Sequence, residues 1–80
     1  MLTDYIQAAM RHAHYEIWPE DGTIFGTIPG FRGVGANAGT LEECRGELQE
    51  VLEDWILVAL RRGHALPVVD DIDLNVRDVA

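Results

Sequence analysis

The sequence predicts an α+β domain in which an antiparallel sheet packs against one long helix, in the order α-β-β-β-α-β. Three observations carry that prediction. Residues Thr40 to Gly63 repeat apolar side chains at helical spacing, with a start signal and a stop signal at the two ends. Residues His14 to Ala38 alternate in short runs broken by Pro-Glu-Asp-Gly and Pro-Gly. A chain of 80 residues is long enough for one small core and leaves no linker for a second domain, so residues 1–80 are read as one unit.

The elements follow in chain order. Thr3 is placed to cap a first helix running to about Ala13, with Leu2, Tyr5, Ile6, Ala9, Met10 and Ala13 on one apolar face. Its other face is not basic, so packing on the sheet is expected and membrane attachment is not. His14 to Trp18 reads as a strand, Pro19-Glu20-Asp21-Gly22 as its turn, and Thr23 to Ile28 as the returning strand. Ile24, Gly26 and Ile28 share one face of that strand. Val34 to Ala38 forms the third strand, and its small residues predict close packing by the long helix.

The long helix opens with Thr40 and Glu43, the pattern of a capping box. Leu41, Cys44, Leu48, Val51, Leu52, Trp55 and Ala59 mark its buried face. Arg61 and Arg62 suit the negative end of the helix dipole, and Gly63 is the expected left-handed residue after the last turn. Pro67 lies in the loop beyond, and Ile72, Leu74 and Val76 alternate with polar residues as a final strand.

Composition excludes several function classes. The formal charge is −8 and no lysine is present, which argues against direct nucleic-acid binding and favours a basic protein partner. Cys44 is the one cysteine, so no internal disulfide exists, and its place on the apolar helix face makes it a small core residue. Met1 to Ala13 is not a secretory signal, and the Trp55–Leu60 run is far shorter than the ~20 residues that span a bilayer. The cytoplasm is expected, with no membrane partner.

Motifs that would carry chemistry fail on context. Gly33-Val34-Gly35-Ala36-Asn37-Ala38 spells the dinucleotide fingerprint, but a hairpin precedes it and the helix begins only at Thr40. Asp71-Ile72-Asp73-Leu74-Asn75 starts like a calcium loop, yet Val76 stands where glycine is required. His12, His14 and His64 lack metal-ligand spacing, and there is no serine. The expectation is a protein without cofactor, metal site or enzymatic activity.

Two surface features remain. Glu43, Glu47, Glu50 and Asp54 recur at spacings of four, three and four, forming one acidic stripe with no cation on it. These four, with Glu20 and Asp21 of the turn, are the candidate partner-binding residues. Trp55 to Leu60 is apolar on all sides, more than one small domain is expected to cover. Trp55, Ile56, Leu57 and Leu60, with Ile72, Leu74 and Val76 of the last strand, are the candidate interface of a homodimer or higher oligomer.

Taken together, the His14–Trp18 strand, the Glu20-Asp21-Gly22 turn, Ile28-Pro29-Gly30-Phe31, Gly39-Thr40-Leu41-Glu42-Glu43-Cys44, the Leu48–Trp55 helix and the Arg62-Gly63-His64-Ala65-Leu66-Pro67 exit resemble the HicB family of toxin–antitoxin antitoxins. The resemblance covers roughly Tyr5 to Pro67. It implies a fold similar to a truncated ribonuclease H domain without that enzyme's active site. It also implies a partner, a small basic HicA-like toxin that cleaves RNA. Many members carry a further C-terminal DNA-binding domain; the acidic stretch of about a dozen residues after Pro67 is too short for one. Two functions are therefore carried forward: an antitoxin that neutralises such a toxin, and a stand-alone homo-oligomeric structural or regulatory domain without one.

Overall fold

The computed structural model describes residues 1–75. It contains α1 (Leu2–Arg11), β1 (His14–Ile17), β2 (Ile24–Thr27), β3 (Gly35–Ala38) and α2 (Leu41–Arg62). The three strands form one antiparallel sheet in the order β1-β2-β3, with Tyr15 opposite Gly26 and Gly26 opposite Ala36.

The α2 boundaries follow from cap chemistry. The Thr40 hydroxyl accepts the Glu43 N–H at 3.1 Å while its own backbone stays extended. At the other end Gly63 takes φ 68°, the Gly63 N–H donates to the Leu60 carbonyl, and the His64 N–H donates to the Ala59 carbonyl. That pair of bonds is the Schellman arrangement, which satisfies carbonyls that the helix leaves free. Cys44, Leu48, Leu52, Ile56 and Ala59 form the inner row of α2, all buried.

This row lies against β3 and β2, and small residues let it come close. The Cys44 thiol donates to the Ala36 carbonyl at 3.4 Å. A Cβ on Gly26 would sit 3.0 Å from the Tyr15 ring and 3.2 Å from Cys44 Sγ, so glycine is what this contact needs. Burial in this layer pushes both the Cys44 thiol and the Tyr15 hydroxyl above their ordinary pKa. α1 packs beside α2 and buries Tyr5, Ala8, Ala9 and Met10. Alternation places His14, Glu16, Phe25, Thr27 and Asn37 on the opposite sheet face, where Trp18 and Phe25 stack at 5.2 Å.

The hairpin turn closes through Trp18, whose N–H donates to Thr23 and whose carbonyl accepts the Gly22 N–H, both at 2.8 Å. Gly22 has φ 72°, the left-handed geometry that glycine adopts freely.

Four expectations need correction. α1 begins at Leu2 after Met1, so Thr3 lies inside the first turn and makes no cap; the helix ends at Arg11, two residues short of Ala13. Trp18 leaves the strand to close the turn. Trp55 is only partly buried, edge-on to Phe31 at 5.2 Å.

The fourth concerns the last strand. Ile72 makes an isolated bridge with Val69, and residues 73–75 form no strand; Val76 lies outside the described residues. The cause is local. Asp70 and Asp71 both have positive φ, so the chain doubles back instead of extending. Asn75 then binds the backbone of Leu66, accepting its N–H at 2.6 Å and donating to its carbonyl at 3.0 Å.

Candidate interaction surface

Glu43, Glu47, Glu50 and Asp54 all project from the solvent side of α2 and are exposed. A helix advances about 100° per residue, so the spacings of four, three and four hold them on one ridge opposite Cys44, Leu48 and Leu52. The ion pairs among the described residues lie elsewhere, between the N-terminus and Asp4 and between Asp70 and Arg11 and His12. The ridge therefore presents four carboxylates whose charge is not neutralised by an adjacent cation. Gln49 and Glu53, beside it, bond to each other at 3.0 Å.

Glu20 and Asp21 sit apart from this ridge, in the hairpin turn. Asp21 Oδ1 accepts the Thr23 hydroxyl at 2.7 Å and the Thr23 N–H at 2.9 Å, and these bonds hold its carboxyl below the usual range. Its role is to build the turn.

The apolar half of α2 divides in two. Ile56 faces inward and is 2 % exposed, so it belongs to the core rather than to an oligomer surface, and Trp55 packs on Phe31. Leu57 and Leu60 face outward at 50 % and 41 % exposure, and Val58 joins them at 47 %. Ile72 and Leu74 are partly buried against the core. A groove of about 310 Å³ runs between the helices, lined by Leu2, Ile6, Glu53, Asp54, Leu57 and Leu60, with Ile56 at its floor.

Sequence reading missed one cluster. His12 Nε2 lies 2.7 Å from Asp70 Oδ1, and Arg11 donates to the other carboxylate oxygen at 3.4 Å. These bonds hold the Asp70 carboxyl below its ordinary value, the His12 hydrogen bond first. The cluster borders a cavity of about 330 Å³ that His14 and Phe31 also line. The partners are 58 residues apart in the chain, beyond what a motif reveals. Among the described residues no group of three or more His, Cys, Asp or Glu is arranged to hold a metal ion. Gly33 supplies a left-handed turn and Gly35 opens β3, so the glycine motif forms a strand entry and not a phosphate loop.

A UPF0150-like family profile matches residues 4–67, the span from α1 through the loop that receives Pro67. The chain belongs to the UPF0150-like family. The whole described fold is also similar to the crystal structure of TTHA0281 from Thermus thermophilus. That protein is 36 % identical, with a TM-score of 0.88, and the match covers 96 % of this chain and 95 % of the other. No curated protein matches the sequence. This UPF0150-like domain has no helix among its described residues long and apolar enough to cross a membrane.

Proposed function

We propose that this UPF0150-like domain is an antitoxin-type binding protein of the cytoplasm. It neutralises a small basic HicA-like RNA-cleaving toxin by covering it and performs no catalysis of its own. The observation that carries the reading is the ridge Glu43, Glu47, Glu50 and Asp54, exposed and without an ion pair among the described residues. Like charges three and four residues apart cost a helix roughly 0.2–0.5 kcal/mol per pair, a cost that a cationic partner reverses. An RNA-cleaving toxin must itself present cations to bind phosphates, so it is complementary to this ridge. The resemblance of residues Tyr5 to Pro67 to the HicB antitoxins supports the same class of partner.

The test is association with a basic toxin-type protein encoded beside this chain, followed at several salt concentrations. Wild-type protein should associate fast at low salt and more slowly as salt rises. Glu47→Lys with Glu50→Lys should slow association by about tenfold or more and flatten the salt dependence, because exposed interface charges act mainly on the encounter rate. The same variant should remain as stable as wild type or slightly more so. An unchanged association rate would assign the ridge to solubility alone.

A further inference from the structure

The exposed stretch Asp54-Leu57-Val58-Arg61 on α2 is complementary to itself. Asp54 and Arg61 are seven residues apart, so they lie about 10 Å apart along the axis and within about 20° around it. Leu57 and Val58 sit between them, half exposed at 50 % and 47 %. An antiparallel two-fold axis through the midpoint of Leu57 and Val58 maps position 54 onto 61 and position 57 onto 58. The apolar pair of one copy then meets that of the other, with an acid facing a base on both flanks. A parallel arrangement would set Asp54 against Asp54 and Arg61 against Arg61. The charges therefore choose the direction as well as the partner.

From this pattern we propose that a second copy of this chain docks on the outer face of the C-terminal half of α2, as an antiparallel two-fold helix pair. Beside this face, Leu2 and Leu60, at 48 % and 41 % exposure, border the groove between the helices next to Leu57. Glu43, Glu47 and Glu50 lie nearer the N-terminus of α2 and stay outside the pair, so the dimer takes up Asp54 and leaves three of the ridge's four carboxylates exposed on each copy. The inference does not depend on the toxin reading, since it concerns self-association alone.

Sedimentation of the purified chain over a range of concentrations, with circular dichroism to confirm folding, tests it. Wild type should be dimeric. Asp54→Arg makes the flanks wholly basic and Arg61→Asp makes them wholly acidic, so each variant alone should dimerise about tenfold or more weakly. Mixed one to one, the two variants should pair with each other at close to wild-type strength, because every acid again meets a base. Leu57→Asp should abolish pairing in any mixture. A wild-type monomer of 8.9 kDa at all concentrations would overturn the proposal, and so would one that covers this face only when another protein is added. Single variants that dimerise as wild type would place the interface elsewhere. Failure of the mixture to recover would exclude the antiparallel two-fold.

Discussion

The layer formed by α2 on β2 and β3 and the segment 64–75 are held in opposite ways. In the layer, a row of apolar side chains meets a floor of Gly26, Ala36 and Ala38, and burial is shared over many residues. The segment 64–75 contributes Leu66 and Val69 to the core, but its path is set by single polar tethers. Tyr5 donates to the Pro67 carbonyl at 2.6 Å, Asn75 clamps Leu66, and Asp70 meets His12 and Arg11. Shared burial repeats with the period of the element that buries it, so it is written along the chain. A tether joins two residues at arbitrary separation and leaves no period.

The largest effect should come from the layer. Leu48 is fully buried in the inner row. Leu48→Ala should cost about 2–5 kcal/mol in urea unfolding, from lost transfer energy and the cavity left behind. Val69→Ala, in the tethered segment at 8 % exposure, should cost clearly less. Equal costs would erase the distinction between the two regions.

The same distinction explains what the sequence made legible. Thr40 and Gly63 bracket α2 as its composition implies, since a hydroxyl cap and a left-handed glycine act within one turn of their own position. The alternation of Ile24, Gly26 and Ile28 gave the sheet face correctly. Ile72 and Leu74 also alternate with polar residues, yet form no strand, because the positive φ at Asp70 and Asp71 and the Asn75 clamp override a short period-2 pattern. On α2 the acidic ridge was legible from spacing. The division of Trp55 to Leu60 was not, because a run apolar on all sides carries no phase; only the packed helix shows Ile56 inside and Leu57 and Val58 outside.

Tyr5 is buried, stacks edge-on with Phe31 at 6.2 Å, and has its pKa pushed up to about 12 by burial and then by the charge of Asp73. Tyr5→Phe keeps the ring and leaves the Pro67 carbonyl without its donor, so it should cost about 1–2 kcal/mol. The folded value lies above the ordinary 10.0, so folding favours the protonated phenol. The stabilisation is complete below pH 10 and is lost as pH rises through about 12. Wild-type stability should fall across that window, and the Phe variant should lose this part of the fall. Identical alkaline profiles would show that the hydroxyl does not hold the segment.

The smallest effect should come from Asp70, whose tethers are exposed and screened by solvent. Its carboxyl is held below the ordinary 3.8 by the hydrogen bond from His12 and then by Arg11, so folding favours the ionised form. The stabilisation is present above pH 3.8 and is lost as pH falls through the lower folded value. Asn is the informative replacement, because it tolerates the left-handed backbone at φ 46° and keeps the shape while removing the charge and one of the two acceptor oxygens that His12 and Arg11 use. Asp70→Asn should cost clearly less than Tyr5→Phe at neutral pH, because exposed ion pairs contribute little, and should make the acid limb of the stability curve shallower. High salt should shrink the neutral-pH difference, since exposed charges are screened within about 10 Å at 0.1 M. A loss as large as that of Leu48→Ala would mean that the segment 64–75 is held by this one carboxylate, and the contrast between shared burial and single tethers would have to be abandoned.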